Sequence, residues 1–264
     1  MTKKLLSIVV LFWNDSKKTI RCLNSIYNQK NIKLSLILVD NNSDKKFSLK
    51  VLNWLKKNKV KIEHITNKKK SYAFNSKKKC FYIKNNVNLG CGLGHNPGYD
   101  FCIKNKFKYI ARIDNDMYLP QGLISSLVKR FEKNKKLIAL SPKIMFDKKP
   151  KLIWFRGTYI GNNLKFQKQC ANYIPGHKDQ KKYRGLVNTD AIVGCASIMR
   201  ADVLKKAGLS DPEFFYGEED IELSHRLKKY KGELKIDLDQ KIYHAVSTTV
   251  GKNWAKNIYY NYKY

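Results

Sequence analysis

The segment LSLILVDNNSD at residues 34–44 decides the predicted fold, because a continuous apolar run changes abruptly into turn-forming residues. A short apolar run that ends in Asn, Ser and Asp is typical of a strand buried on both faces. A similar apolar run covers residues 5–11, and the pattern over residues 16–29 is that of an amphipathic helix. The three segments together predict a β-α-β unit with parallel strands.

The same alternation continues to residue 113. It predicts a helix near 47–57, strands near 60–65 and 81–84, a glycine-rich turn at 90–98, a helix to about 105 and a strand at 108–113. We therefore expect an α/β fold with a Rossmann-like, mostly parallel central sheet and helices on both faces.

The pattern becomes less regular after residue 118, which indicates a smaller second region of the chain. Here we expect a helix near 121–133, strands near 137–141 and 152–160, an apolar segment at 191–199, helices at 201–207 and 218–230, and short strands near 234–246. A chain of 264 residues is compatible with one catalytic domain, with a nucleotide-binding half over about 1–118 and a second half over about 119–264.

The net charge of +32 predicts an anionic partner, which could be nucleic acid, an acidic membrane surface or a phosphate-bearing substrate. Lysine and asparagine are abundant along the whole chain, so an AT-rich genome is an equally good explanation for the charge. No helix-turn-helix, zinc-finger or RRM signature supports a nucleic-acid-binding protein.

Composition also bears on location. The six cysteines form no C-x-x-C pair and no zinc-ligand spacing, which favours reduced thiols in the cytoplasm. The basic and apolar start resembles a signal peptide but lacks a small-residue cleavage site, so we expect a buried first strand. No apolar run approaches the roughly 18–20 residues of a membrane-spanning helix, so any membrane association would be peripheral.

Two clusters of acidic residues lie beside predicted strands or helices and could take part in ligand binding or catalysis. Asp114 and Asp116 come directly after the strand YIARI, where two carboxylates on one loop could bind a divalent cation and a diphosphate. An alternative of equal weight is that Asp116 caps the next helix. Ligands of open α/β sheets bind at the carboxyl ends of the strands, so residues 40–44 and 114–116 are both expected at one cleft.

The second group is Glu-Glu-Asp-Ile-Glu at 218–222, which holds four of the 21 acidic residues of the chain. A helix N-terminus stabilises acidic side chains, but this accounts more easily for one or two than for four. A carboxylate crowded by others can have a raised pKa, which suits a general base. Asp220 is the candidate base, and Glu219 could share or replace that role.

Two further features leave alternatives open. His244, in the context KIYHAV, is either a metal ligand or a structural histidine at a strand end. The glycine-rich segment NLGCGLGHNPG at 88–98 could approach a nucleotide through its backbone, although His95 stands where a dinucleotide fingerprint requires its third glycine. A dinucleotide-dependent oxidoreductase is therefore a competing hypothesis, which leaves VDNNSD and the 218–222 cluster unexplained.

Six stretches carry a family resemblance: IVVLFWN at 8–14, VDNNSD at 39–44, NLGCGLGHNPG at 88–98, RIDNDM at 112–117, VGCASIMR at 193–200 and DPEFFYGEEDIELSHR at 211–226. In this order they resemble the family 2 glycosyltransferases, particularly the rhamnosyltransferase-like members that build bacterial surface polysaccharides. The resemblance covers about residues 6–250. One departure is Phe12-Trp13-Asn14, where relatives often have Thr-Tyr-Asn or Val-Tyr-Asn.

The resemblance implies the GT-A fold and an inverting transfer of rhamnose or another hexose from a nucleoside diphosphate donor. It implies that Asp220 is the catalytic base, with Arg226 in support, that Asp116 binds Mg or Mn, and that His244 stands where some relatives have a late metal ligand. The implied donor-binding residues include Asp40 at the base and Asp114 at the ribose or diphosphate. The full implied donor set is Asn14, Asp40, Asn42, Asn88, Arg112 and Asp114.

The same resemblance implies a glycan or lipid-linked glycan as the acceptor. Because a lipid-linked acceptor lies at the cytoplasmic leaflet, the positive charge suggests attachment to that anionic surface. The tail KNWAKNIYYNYKY at 252–264 suits either a membrane interface or packing of a terminal helix. No nucleic acid is expected as a partner.

Overall fold

The computed structural model describes residues 6–65, 79–159 and 176–246. The tail at 252–264 and Cys170 lie outside these residues. The first half contains β1 (Leu6–Phe12), α1 (Ser16–Tyr27), β2 (Leu34–Asp40), α2 (Lys45–Lys57), β3 (Lys61–His64), β4 (Lys79–Lys84), α3 (Gly92–Lys104), β5 (Tyr109–Ile113) and β6 (Met117–Tyr118).

The second half carries more strands than helices. It contains α4 (Leu123–Lys133), β7 (Leu137–Phe146), β8 (Leu152–Phe155), β9 (His177–Lys178), β10 (Leu186–Asn188), β11 (Ala196–Arg200), α5 (Ala201–Ala207), α6 (Glu219–Lys228) and β12 (Glu233–His244). The strands of both halves belong to one sheet, with the order β10-β12-β7-β11-β5-β1-β2-β4-β3.

The sheet is buried on both faces because its central strands are apolar on both. In β1, Ile8 and Val10 pack into the core that contains α1, α2 and α4, whereas Val9 packs into the core that contains α3, α5 and α6. Successive side chains of a strand point to opposite faces, so an apolar run without alternation is what two packed layers require. The predicted α/β fold with helices on both faces is confirmed.

Parallel pairing connects β3, β4, β2, β1 and β5, whereas β11 pairs antiparallel with both β5 and β7. The chain order reverses direction at β1, which has β2 on one side and β5 on the other. Connections leave the carboxyl ends of these strands on opposite faces, and this creates a crevice in which ligands of such sheets bind. The loops at residues 13–15, 40–44 and 114–116 all lie at this edge.

Two predictions about local structure were wrong. The predicted short strands near 234–246 form the single twelve-residue strand β12, which pairs parallel with β7 and has an irregular register between Asp237 and Lys241. The predicted glycine-rich turn at 90–98 belongs mostly to α3, which begins at Gly92. Over the described residues, no helix is both long and apolar enough to cross a membrane.

Candidate active site

Asp40 ends β2 and anchors the loop that follows. Its side chain is fully buried, and its carboxylate accepts hydrogen bonds from the Ser43 amide (2.7 Å), the Tyr82 hydroxyl (2.6 Å) and the Ser48 hydroxyl. Asp40 has no exposed surface in this structure and shapes residues 40–44 through these hydrogen bonds. Its contact with a nucleotide base stays a prediction.

Asn41, which the sequence analysis did not single out, links this loop to the start of α3. Its side-chain amide donates to Asn88 Oδ1 (2.7 Å) and to the Gly90 carbonyl (2.9 Å). Its side-chain oxygen accepts from Asn85 Nδ2 (2.9 Å) and from the Leu89 amide (3.1 Å). All four hydrogen bonds are made at a buried position, so Asn41 and Asn85 hold Asn88 at the edge of the crevice.

The end of β1 contributes the other side of this loop. Asn14 has a positive φ of 51°, its amide donates to the Ser43 hydroxyl (3.1 Å), and its side-chain oxygen accepts from the Asp44 amide (2.8 Å). Asn42 is exposed with a φ of 63°, and Trp13 is 41% exposed. Asn14 is therefore a loop anchor, and the exposed surface here belongs to Asn42 and Trp13.

The glycines at 90–98 allow neighbouring parts of the protein to pack closely against this segment. A Cβ atom at Gly98 would lie 2.6 Å from Val9 Cγ1, and one at Gly90, where φ is +75°, would overlap the carbonyl of Phe215. The Cys91 amide donates to that same carbonyl (2.7 Å), so the chain before α6 covers the start of α3. Gly90 and Gly98 are therefore required for packing within the protein, and a close approach of this backbone to a nucleotide stays a prediction.

The strand β5 carries both carboxylates of the Asp-Asn-Asp motif into the crevice. The Asp114 amide donates to the Cys195 carbonyl (2.9 Å), which holds the loop against β11, and the Asp114 side chain is 28% exposed. Burial raises the pKa of Asp114, although Arg112 acts against this rise. Asp116 does not cap a helix, because α4 begins only at Leu123.

Asp116 and His244 meet although they are far apart in the chain. The His244 Nε2 atom lies 3.3 Å from Asp116 Oδ1, and the Ala245 amide donates to the Asp116 carbonyl (3.0 Å) where β12 pairs with β6. The Trp154 ring contacts His244 edge-on, with 4.6 Å between ring centroids. This pairing fits both alternatives for His244, a metal ligand and a structural histidine at a strand end.

Two atoms of this pair are buried and have no hydrogen-bond partner among the described residues, Asp116 Oδ2 and His244 Nδ1. A carboxylate and an imidazole that converge fit a divalent cation such as Mn²⁺. Within the same residues, no group of three or more His, Cys, Asp or Glu side chains is arranged to hold a metal. Among the described residues, Asp116 and His244 are the two candidate ligands, and a bound cation would need further oxygen atoms from a ligand or water.

The acidic cluster lies at the first turn of α6, as the sequence predicted. Asp220 Oδ2 accepts a hydrogen bond from the Gly194 amide (2.8 Å), and its side chain is partly exposed. Burial raises the pKa of Asp220 to about 6, and the negative charge of Glu219 adds to the rise. A carboxylate with this pKa is ionised at neutral pH and still has useful affinity for a proton.

Glu219 has a different environment from Asp220. It is 5% exposed, and its Oε1 atom accepts from Arg112 Nη2 (2.8 Å). Burial would raise the pKa of Glu219, but the Arg112 guanidinium outweighs this and lowers it. Because the Glu219 carboxylate is buried and paired with Arg112, Asp220 is the more accessible of the two carboxylates. A share of the role of base for Glu219 stays a prediction.

Arg112 is buried beneath the crevice, and its predicted contact with a donor stays a prediction. Its side chain is 4% exposed, and its Nη2 atom also donates to Cys91 Sγ (2.9 Å). Arg226 donates to the carbonyls of Ala207 (2.6 Å) and Leu209 (2.9 Å) and pairs with Glu222. Arg226 therefore joins α6 to the end of α5, and its supporting role at the acceptor stays a prediction.

Solved structures similar to this chain identify the fold as the GT-A fold of glycosyltransferases. GalNAc-T7, solved with UDP, GalNAc and Mn²⁺, is 15% identical, with a TM-score of 0.65 and coverage of 92% of this chain and 44% of that chain. TarS 1–349 from S. aureus is 13% identical, with a TM-score of 0.62 and coverage of 91% and 60%. The mannosyltransferase PcManGT from Pyrobaculum calidifontis, solved with GDP-Man and Mn²⁺, is 11% identical, with a TM-score of 0.63 and coverage of 94% and 59%.

The model of the family described as "Glycosyl transferase family 2" matches residues 7–207, and the chain belongs to that family. The chain spans about half the length of the solved structures named above. No curated protein matches it.

Proposed function

We propose that this chain is an inverting glycosyltransferase that moves a sugar from a nucleoside diphosphate donor to a hydroxyl group of a glycan or lipid-linked glycan, with help from a divalent cation. The observation that carries the proposal is the convergence of Asp116 and His244 at the carboxyl edge of the sheet, which also carries Asp220. Family membership supports the reaction class.

Asp220 is the proposed base. Its carboxylate is partly exposed, is oriented by the Gly194 amide and has a pKa of about 6, so it is ionised at neutral pH. It would take the proton of an acceptor hydroxyl while that oxygen attacks the anomeric carbon from the side opposite the leaving diphosphate, which inverts the configuration. Asp220 and the acceptor must therefore lie on one side of the sugar, and the diphosphate on the other.

Asp116 and His244 are the proposed ligands of the cation, Mg or Mn. When bound, the cation would neutralise charge on the departing diphosphate. The two neighbours solved with Mn²⁺ also contain UDP in one case and GDP-Man in the other, which supports a donor of the nucleoside diphosphate class. Asp114 is the proposed contact to the ribose or diphosphate, since it is the more exposed carboxylate of the motif.

The proposed nucleotide pocket lies between the ends of β1, β2 and β4. Asn42 and Trp13 supply its exposed surface, and the Asn41 network orients Asn88 beside them. Asn14 acts through the loop that it anchors. Rhamnose or another hexose remains the prediction for the transferred sugar.

Attachment to the anionic inner face of the cell membrane is also proposed. The chain over residues 45–62 contains no acidic residue, and its seven lysines are all exposed. The exposed side chain of Leu49 (44%) lies among them. The lysines are Lys45, Lys46, Lys50, Lys56, Lys57, Lys59 and Lys61.

Vesicle sedimentation at physiological salt tests this attachment, with phosphatidylglycerol vesicles compared with neutral phosphatidylcholine vesicles. Replacing Lys46, Lys50 and Lys57 with Gln should weaken binding about a hundredfold, at about 1 kcal/mol per lysine. The matched control replaces Lys129, Lys133 and Lys135, which are exposed on and after α4. Equal losses in both triple variants, or binding to generic DNA in preference to vesicles, would argue against the proposed surface.

The catalytic proposal is tested by incubating the protein with UDP-, GDP- and dTDP-sugars and Mn²⁺, and by measuring release of the nucleoside diphosphate. We expect release from one nucleotide class. Transfer to an acceptor should fall by about 10²–10⁴ in Asp220→Asn, since the general base is lost. The matched control is Asp100→Asn, which removes an exposed carboxylate paired with Lys104. Equal activity of Asp220→Asn and the wild type would rule out Asp220 as the base.

A further inference from the structure

Arg112 is a buried cation in the middle of the fold, and nothing in the proposed reaction uses it directly. Its side chain extends from β5 and contacts groups on other elements. It donates to Glu219 Oε1 on α6 (2.8 Å) and to Cys91 Sγ at the start of α3 (2.9 Å), and its Nε atom lies 3.6 Å from Asp114 Oδ1. A buried charge is costly unless it is paired, so these contacts must be kept for the fold to be stable.

Arg112 also supports the residue that orients Asp220. A Cβ atom at Gly194 would lie 2.6 Å from Arg112 Cζ and 2.7 Å from each terminal nitrogen, so the guanidinium packs directly against the Gly194 backbone. The amide of Gly194 donates to Asp220 Oδ2 (2.8 Å). Arg112 therefore contacts both supports of Asp220, which are the preceding residue Glu219 and the backbone of Gly194.

A fully buried histidine, His95, completes the environment of the Arg112 guanidinium. The Nδ1–H group of His95 donates to the Cys91 carbonyl (2.8 Å), and its Nε2 atom lies 3.9 Å from Asp114 Oδ1. Burial, followed by the positive charge of Arg112, lowers the pKa of His95 far below its usual value. His95 thus stays neutral, and Arg112 is the cation that balances Glu219.

We propose that Arg112 and Glu219 form a positioning pair that joins the Asp114–Asp116 loop to the start of α6 and thereby sets both the place and the charge environment of Asp220. The proposal rests on the proposed function only in so far as Asp220 is the base. The pair itself does not touch a substrate. In this proposal, Glu219 adjusts the charge environment of the neighbouring residue Asp220.

The charges around Asp220 give the direction of the effect. Glu219 faces it from α6, Glu218 from the residue before that helix, Arg112 from β5, and the Gly194 amide and Cys195 from the segment before β11. After burial, Glu219 is the strongest contribution that raises the pKa of Asp220, whereas the Gly194 hydrogen bond and Arg112 lower it. Removing the negative charge of Glu219 must therefore lower the pKa of Asp220.

The test is a direct titration of Asp220 that needs no donor or acceptor. Full-length protein is labelled with ¹³C at the aspartate carboxyl carbon, and the Asp220 signal is assigned by its absence in Asp220→Asn. We expect a midpoint of about 6 in the wild type and a lower midpoint in Glu219→Gln, which keeps the shape of the side chain. Glu222→Gln is the matched control, since it removes a paired carboxylate from the same helix and should leave the midpoint unchanged.

If Glu219→Gln does not fold because Arg112 is left unpaired, the double variant Arg112→Gln/Glu219→Gln decides, since it removes both charges of this buried pair. Its Asp220 midpoint should also lie below that of the wild type, because the effect of Glu219 exceeds that of Arg112. An unchanged midpoint in the folded variant, or an equal fall in Glu222→Gln, would overturn the proposal. Loss of transfer in Asp220→Asn is measured separately, so a failure of the base assignment can be distinguished from a failure of the Arg112–Glu219 proposal.

Discussion

Replacing Gly194 with alanine should damage the candidate active site by displacing the Arg112 guanidinium. The new methyl group would lie 2.6 Å from Arg112 Cζ, whereas ordinary contact between such atoms begins near 3.5 Å. The guanidinium would have to retreat by about 0.9 Å. That movement lengthens its 2.8 Å hydrogen bond to Glu219 beyond a useful distance.

The size of the effect follows from two known costs. Overpacking a core costs about 1–3 kcal/mol, and breaking a buried ion pair costs about 3–5 kcal/mol. Because the side chains can relax in part, we expect the free energy of unfolding to fall by about 2–4 kcal/mol, which lowers Tm by about 5–10 °C in a chain of this size. Thermal unfolding followed by circular dichroism measures this change.

A double-mutant cycle with Arg112→Lys identifies the cause. Lysine keeps the charge but lacks the planar group that fills the space in front of Gly194, so the cost of Gly194→Ala should be smaller in the Arg112→Lys background by about 1 kcal/mol or more. If the two changes are additive, or if Gly194→Ala leaves Tm unchanged, the packing of Arg112 on Gly194 does not support the site as described.

Two further predictions concern pH and the end of α6. The rate of transfer at low substrate concentration should rise with pH through about 6, the pKa of Asp220, because the base acts only when deprotonated. At pH 5 the rate should be about a tenth of its plateau value. A flat profile between pH 5 and 7 would contradict this prediction. Arg226→Ala should reduce the free energy of unfolding by about 1.5–3 kcal/mol through loss of hydrogen bonds from a charged group to two partly buried carbonyls, without changing metal-dependent nucleotide affinity. A specific loss of that affinity would instead indicate a role for Arg226 in the site.

Much of the fold could be predicted because the apolar runs are unambiguous. The run at 34–39 and the turn residues after it have few alternatives to a buried strand and a loop at the carboxyl edge of a sheet. The convergence of the 40–44 and 114–116 loops follows from that topology. The strand β12 was harder to predict because its charged residues interrupt the pattern, and the structure explains them by pairing Asp237 and Asp239 with Arg130.

The contacts of individual side chains could be predicted less well than their positions. Asp40 and Arg112 lie where the family resemblance implied, but both are buried, and spacing along the chain carries no information on which face a side chain takes at a strand end. A signal for Arg112 did exist. An arginine inside the apolar strand YIARI requires a buried anion, and the crowded acids at 218–222 were available to supply one.

The central claim is that Asp116 and His244 hold a cation that binds a nucleoside diphosphate. Calorimetric titration with UDP, dTDP, GDP and NAD, with and without Mn²⁺, tests it most directly, using Asp116→Ala and the control Asp100→Asn. The account predicts Mn²⁺-dependent binding of one nucleoside diphosphate that is lost in Asp116→Ala and kept in the control. Binding that is independent of Mn²⁺ and unaffected by Asp116→Ala, or binding of NAD alone, would contradict it.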